Sequence, residues 1–265
     1  MVATPDDTAT LVLMREAQDA TRKPEVLLLK RYASEACAAG AYGFPGGVLE
    51  AVDIIPAAQA LSPLFPPAAA AERLPDVAQP AHALGFWITA WRKTFAEAGI
   101  LLARHADGRL WHPSPDDVIR LAAQWRSLRR GETMFVTMMH DLELYLATDL
   151  LIYFAHWITP EMCPRRFSTR FFLVHVPEEL TAVPDRMEVV EQVWITPEAA
   201  LQRHTSGEME MMTVTTKILQ TLCSFPSAAA ALEHLQETPV TTVLPKAVVQ
   251  ADGRTRILYP WDEGY

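Results

Sequence analysis

The chain has 265 residues, half of them hydrophobic, and a formal net charge of −9. That length and hydrophobic share suffice for the core of one α/β domain, which we expect to span residues 1–265. The negative charge argues against a nucleic-acid polymer as partner, because such binding depends on neutralising phosphates with basic patches. A small phosphorylated ligand needs only a local basic cluster.

Localisation is predicted from what the sequence lacks. No apolar run is long enough for a transmembrane helix, and the first residues lack the basic start and apolar stretch of a signal peptide. The three cysteines, Cys37, Cys163 and Cys223, are far apart and form no C-x-x-C spacing. We therefore expect reduced thiols in a cytoplasmic protein with no membrane partner. The sequence leaves open whether the protein forms a homodimer.

The N-terminal part predicts strands followed by a glycine loop. Two short apolar runs, residues 10–14 and 26–29, are typical of strands buried on both faces. Residues 40–47 contain four glycines, whose backbone allows close approach. Such a loop can bring N–H groups against a phosphate, and the alternative is a tight turn without a ligand.

Residues 54–85 are rich in proline and alanine. The prolines exclude a long helix, so we expect a surface excursion that forms a lid, a partner contact or a passive insertion. From Gly85 the pattern becomes helical. Trp87, Trp91 and Phe95 recur at intervals of four and mark the buried side, and Gly99 is expected to end the helix in a left-handed conformation.

The rest of the chain alternates between helical and strand patterns. Ser114 is an N-cap residue that predicts a helix, and a second helix is expected at about 133–148. His156 and His175 lie in apolar surroundings and are expected to be core histidines. The remaining segments are strands at 166–176 and 189–195, helices at 197–204, 208–223 and 227–236, and a β segment at 241–259 with a hairpin turn at Asp252-Gly253.

The residues that carry chemistry fall on either side of the proline-rich segment. The first stretch, residues 43–53, reads GFPGGVLEAVD, and the second, residues 91–100, reads WRKTFAEAGI. Set together, they resemble the Nudix box, G-x5-E-x7-R-E-U-x-E-E-x-G-U, in which U is aliphatic. Gly47 matches the opening glycine, Arg92 the arginine and Glu97 the second of the paired glutamates.

Three positions depart from the pattern. Asp53 stands where a glutamate is usual, and Lys93 and Ala96 replace two further glutamates. Ala96 removes a metal ligand. Lys93 places a positive charge one helical turn from Glu97, and the attraction between them is expected to compete with metal binding.

The split box resembles a branch of the Nudix superfamily with an insertion inside the box, which includes a peroxisomal coenzyme A diphosphatase. The stretches 157–160, 165–172 and 194–200 look like that branch too. The resemblance implies an α/β/α sandwich with a mixed sheet, the insertion at 54–85, and a helical and β extension at 197–265.

The resemblance also implies the site. Arg92 would orient the acids by a salt bridge that Glu50 could accept, and Glu191 is a candidate catalytic acid from a later strand. Mg²⁺ or Mn²⁺ would be the cofactor. The expected metal ligands are Asp53, Glu97 and Glu50, the catalytic residues Glu97, Arg92 and Glu191, and the phosphate contacts Gly46, Gly47, Arg165, Arg166 and Arg170.

Two functions remain open. The first is metal-dependent hydrolysis of a diphosphate linkage in a nucleoside diphosphate derivative, with coenzyme A or acyl-CoA as the first substrates to try. The second is a catalytically impaired protein that binds such a ligand, or a protein partner, without turnover. Lys93 and Ala96 favour the second, whereas Glu97, Asp53, Arg92 and the loop glycines keep the first open.

Overall fold

A computed structural model describes residues 2–17, 23–30, 40–178, 180, 191–249 and 255–265. Within these ranges, the strands are β1 Asp6–Glu16, β2 Pro24–Lys30, β3 Tyr42–Gly43, β4 Gly46–Val48, β5 Ala103–Arg104, β6 Tyr145–Leu146, β7 Ile152–Ile158, β8 Phe167–His175, β9 Gln192–Ile195, β10 Thr242–Val243, β11 Lys246–Val249 and β12 Thr255–Leu258. The helices are α1 Pro56–Gln59, α2 Pro67–Arg73, α3 Pro80–Ala98, α4 Pro115–Arg129, α5 Phe135–Asp141, α6 Pro197–Thr205, α7 Thr213–Leu222 and α8 Ala228–Glu237.

The main sheet is mixed and runs in the order β10-β7-β8-β1-β2-β3. β1 lies parallel to β8 and antiparallel to β2, and its other antiparallel partner is β4, the strand of the glycine loop. β9 pairs with β2. The sheet therefore places the glycine loop beside β1, next to the long strand β8.

Side chains alternate across β1, so its two faces contribute to different cores. Leu11 and Leu13 belong to the hydrophobic cluster that contains α3. Val12 and Met14 belong to the cluster that contains residues of α6, α7 and α8. Because helices cover both faces, the expected α/β/α sandwich is confirmed, and both predicted N-terminal strands are present.

The proline-rich segment passes over the surface of the domain and buries a few of its residues against it. Prolines occupy the first positions of α1 and α2, where the missing N–H costs little. Ala58, Ala70 and Leu74 are fully buried in the cluster around α3. The segment thus lies at the surface with short helices only, as expected, while a few of its residues join the core. Helix α3 begins at Pro80 rather than near Gly85.

Helix α3 otherwise follows the prediction. Trp87, Trp91 and Phe95 are buried, and Gly99 caps the helix at φ 66°. Ser114 caps α4 by accepting a hydrogen bond from the Asp117 backbone N–H. The helix expected at 133–148 ends at Asp141, because Glu143 takes a left-handed φ of 54° and the chain then forms β6.

The C-terminal predictions are confirmed in outline. Helices α6 and α8 lie where expected, α7 begins later than residue 208, and β11 pairs antiparallel with β12. The predicted turn at Asp252-Gly253, Val189 and Cys37 lie outside the described residues. His156 is buried, whereas His175 is exposed and the prediction of a core position for it was wrong. No helix in the described ranges is long and apolar enough to cross a membrane.

Candidate functional site

Asp53 and Arg92 join the two halves of the box. Arg92 Nε and Nη2 donate to the Asp53 carboxylate at 2.6 and 2.7 Å, and Arg92 Nη2 also donates to the Val48 carbonyl at 3.3 Å. Asp53 is buried and accepts further hydrogen bonds from Thr89 Oγ1 and the Glu50 backbone N–H. Such a bidentate pair fixes both orientation and distance.

The sequence predicted that Glu50 could take this role, but the structure gives the bidentate contact to Asp53. Glu50 adds a single contact at 3.2 Å to Arg92 Nη1. Burial by itself lowers the pKa of Arg92, yet the hydrogen bonds and charge of Asp53 raise that pKa above its usual value. Arg92 is therefore a fixed cation that holds α3 against the loop.

The glycine loop lies against β1 and α3. A Cβ at Gly46 would stand 2.5 Å from the Ala9 carbonyl oxygen, so only glycine allows this approach to β1. The Gly46 N–H donates to Glu97 Oε2 at 3.2 Å. The glycine turn and the last carboxylate of the box, which are remote in sequence, are therefore in contact.

Lys93 lies over the same turn. A Cβ at Gly47 would stand 2.9 Å from Lys93 Cε, and Lys93 Nζ donates to Glu50 Oε1 at 2.9 Å. This hydrogen bond is the main reason that the pKa of Glu50 is lowered. The expected attraction of Lys93 was towards Glu97, but the structure places its ammonium group on Glu50.

A cavity of about 330 Å³ opens beside the glycine loop. Gly46, Gly47 and Arg165, three of the predicted phosphate contacts, line it. Its walls come from β1, β8, the loop and the start of α7, namely Thr8, Thr10, Gly43, Phe44, Val48, Phe167, Thr169, Phe171, Met212, Val214 and Thr215. Small-molecule sites commonly have this size and mixed lining.

The alternation of β8 separates the predicted arginines. Arg165, at the start of this segment, lines the cavity with Phe167 and Thr169, whereas Arg166 and Arg170 belong to the opposite set of positions. Arg166 is buried and donates to the carbonyls of Thr159 and Ala3.

Arg170 is also buried. It pairs with Asp76 and Asp7 and lies over the ring of Phe86 at 4.2 Å. Arg166 and Arg170 thus serve the fold in this arrangement and do not line the cavity. Because side chains alternate along a strand, the sequence could have shown that Arg166 and Arg170 lie on the opposite face from Arg165.

Glu191 lies at the start of β9, near the end of α3. Its neighbour Gln192 donates to the Ala98 carbonyl at 3.2 Å, and Glu191 Oε2 is 3.5 Å from Lys30 Nζ. A hydrogen bond from Tyr42, followed by the charge of Lys30, lowers the pKa of Glu191. It is therefore an ionised, exposed carboxylate close to the box, and its catalytic role stays a prediction.

The carboxylates as arranged do not fit a divalent cation. Asp53 is enclosed by Arg92, Thr89 and the Glu50 backbone, and Glu50 is paired with Lys93 and Arg92. Among the described residues, no group of three or more histidine, cysteine, aspartate or glutamate side chains is placed to hold a metal ion. Glu97 alone would not make the oxygen cage that Mg²⁺ prefers.

Sequence reasoning missed several residues of the cavity. Thr8, Thr10 and Thr169 contribute hydroxyl groups to its lining or rim, and Thr8 Oγ1 donates to Thr169 Oγ1 at 2.7 Å. Their spacing of two along β1 was the available signal, because it places Thr8 and Thr10 on one face. The sequence did not predict which face of β1 lines the cavity, because the strand is apolar on both faces.

Comparisons with known proteins agree with the split box. The family model described as the NUDT19 Nudix domain matches residues 6–214. The acyl-coenzyme A diphosphatase NUDT19 of Gallus gallus is 29% identical over an alignment 280 residues long. The alignment covers 91% of this chain and 72% of the relative. The Homo sapiens protein of the same name is 29% identical over 278 residues, with the same shares covered.

A solved structure shares the fold. The Nudix hydrolase from Alicyclobacillus acidocaldarius superimposes with a TM-score of 0.69 at 24% identity, covering 90% of this chain and 100% of that one.

Proposed function

Because the chain belongs to the NUDT19 Nudix domain family, we propose that it hydrolyses the diphosphate linkage of coenzyme A or an acyl-CoA. The observation that carries this proposal is the reunited box. Arg92 and Asp53 hold the loop to α3, and Gly46, which lines the cavity, donates its N–H to Glu97. The names of the NUDT19 relatives support the substrate class.

In this proposal the diphosphate lies along Gly46 and Gly47, with Arg165 at the cavity wall. A water oxygen attacks one phosphorus, the bond from that phosphorus to the bridging oxygen breaks, and the leaving phosphate keeps the electron pair. A nearby carboxylate takes the proton of the water, a role we assign to Glu97 or Glu191. Positive charge on Lys93 and Arg165 offsets the charge of the phosphates.

The missing glutamates are expected to make this hydrolysis slow. Loss of one metal ligand or supporting acid costs about 10- to 100-fold in affinity or activity, and the chain has lost two. Restoring both with Lys93→Glu and Ala96→Glu should raise turnover by about 100-fold or more in the presence of Mg²⁺ or Mn²⁺.

The test measures phosphoanhydride cleavage of coenzyme A, acyl-CoA, ADP-ribose and dinucleoside polyphosphates, with Mg²⁺, Mn²⁺ or EDTA. Slow cleavage of a CoA substrate by the wild type, reduced in Glu97→Gln or in Glu191→Gln, supports the proposal. Lys246→Glu, a charge reversal outside the box and the cavity, is the matched control and should not change the rate. A wild type inert towards all four substrates, beside an active double variant, would overturn the proposal.

A ligand-binding protein without turnover is the second candidate, and the placement of Lys93 favours it. Its side chain covers Gly47, and its ammonium group donates a hydrogen bond to Glu50. The resemblance had implied that the Glu50 carboxylate binds a metal. An inert wild type that still binds coenzyme A would establish this second function.

A further inference from the structure

We infer that the ammonium group of Lys93 takes the place of a divalent cation beside the glycine loop, so that a diphosphate ligand binds without metal. The inference depends on the proposed function for the class of ligand, but it does not require hydrolysis.

The position of Lys93 supports this role. Its Cε lies within 2.9 Å of where a Gly47 Cβ would be, and Gly47 lines the cavity. The lysine stem is mostly covered, since 23% of the side chain is exposed. The stem is thus packed on the glycine turn, which holds the charged end near any phosphate that the loop receives.

The ammonium group can change partner at low cost. Its contact with Glu50 involves a carboxylate side chain that is 48% exposed, and ion pairs with such an exposed partner contribute little to stability. An ammonium has three N–H donors. Among the described residues, Glu50 is the hydrogen-bond partner that the structure gives Lys93, so donors remain for phosphate oxygens.

Charge accounting favours the same conclusion. A lysine in place of one glutamate and an alanine in place of another make the box three charge units more positive than the Nudix pattern. One Mg²⁺ would add two units. The substitutions therefore supply, within the chain, at least the positive charge that a cation would bring to the diphosphate.

Two neighbouring groups preserve this gain, whereas the carboxylates of Glu50 and Glu97 offset part of it. Asp53 is neutralised by its bidentate contact with Arg92. Arg165 adds a second cation at the cavity wall. Glu97 also contacts the glycine turn, where one of its oxygens accepts the Gly46 N–H.

The experiment is calorimetric titration with coenzyme A and with the α,β-methylene analogue of ADP, in EDTA and in Mg²⁺. The dissociation constant of the wild type should be similar in both buffers. Lys93→Met should weaken binding in EDTA by about 10-fold or more, the usual worth of hydrogen bonds to a charged group. Lys93→Arg should keep most of the affinity.

Two further variants sharpen the test. Lys246→Met removes a lysine outside the box and the cavity, so this variant should bind the ligands like the wild type. Lys93→Glu with Ala96→Glu should bind in Mg²⁺ and lose binding in EDTA. Circular dichroism confirms that each variant is folded.

Binding by the wild type that requires Mg²⁺, equal binding by folded Lys93→Met, or no binding of either probe would overturn the inference. Binding in EDTA by a wild type that hydrolyses nothing would overturn the proposed hydrolase and leave this inference standing.

Discussion

Asp53 has two oxygens that together meet Arg92, Thr89 and the Glu50 backbone, and its side chain is 1% exposed. Asp53→Ala would leave the Arg92 guanidinium largely buried without its bidentate partner. Removing one member of a buried pair costs roughly 3–5 kcal/mol, so we expect the free energy of unfolding to fall by about 3 kcal/mol. Urea denaturation measures this change.

Asp107→Ala is the matched control for that substitution. Asp107 pairs with Arg109 on the surface, where both side chains are largely exposed. Its removal should leave the urea midpoint unchanged within error. Equal midpoints for Asp53→Ala and the wild type would show that the pair does not hold the box together.

His156 gives the fold a sensitivity to acid. Its ring nitrogens lie 2.9 Å from Ser168 Oγ and from Thr242 Oγ1. Burial, followed by the positive charge of Arg170, lowers the pKa of His156 to about 4. The pKa of a histidine in an unfolded chain is about 6.5.

Stability should therefore fall as the pH drops from about 6.5 towards 4, because His156 binds a proton in the unfolded chain but not in the folded one. The loss attributable to His156 is at most about 3 kcal/mol. His156→Gln cannot titrate, so its unfolding free energy should change less between pH 7 and pH 4.5. An unchanged dependence on pH would contradict this account.

At the level of residues, the sequence predicted which side chains meet better than what each one does. The approach of Arg92 and Glu97 to the glycine loop followed from the pattern of the box. The partner of Lys93 did not, because a lysine one turn from Glu97 can equally reach across to the loop. That choice depends on a tertiary distance that spacing alone does not contain.

At the level of elements, the packing on α3 of Leu49 and Ile54, which flank the 3₁₀ turn Ala51–Asp53, depends on Gly85. A glycine in a helix interior ordinarily gains about 1 kcal/mol of stability when replaced by alanine. Here a Cβ would lie 2.7 Å from Ile54 Cγ2 and 3.2 Å from Leu49 Cδ1. A methyl attached directly to Cβ cannot swing away, so we expect Gly85→Ala to destabilise the protein.

The expected cost is about 1–3 kcal/mol, as for other overpacked sites, and thermal unfolding measures it. Adding Ile54→Ala removes the clashing methyl, so the double variant should lose less stability than the two single losses combined. Strictly additive losses would show that Gly85 and Ile54 do not interact.

The elements themselves were predictable where local signals were strong. Ser114 before a proline and the αL glycine at position 99 fixed helix ends correctly. In the proline-rich segment the absence of a long helix was predictable, but the short helices α1 and α2 were not, although prolines often begin short helices. Ala70 and Leu74 are buried in the cluster that contains α3. Local sequence patterns do not predict such tertiary contacts.

At the level of the whole molecule, the sandwich could be expected from the resemblance, and the cavity could not. Strands apolar on both faces predict a covered sheet, which β1 confirms through its two hydrophobic clusters. The cavity depends on β8 lying parallel to β1 and on α7 reaching the glycine loop. Both are pairings between distant parts of the chain.

The insertion has a consequence for how the chain could be divided. Residues 75–79, between α2 and α3, are mostly exposed, while the main sheet takes β1 and β2 from before them and β7 and β8 from after them. A cut at this connection would leave two fragments that share one sheet and meet at Asp53 and Arg92. A chain split in this way could report on the assembly of its two pieces, because Asp53 and Arg92 lie on different fragments.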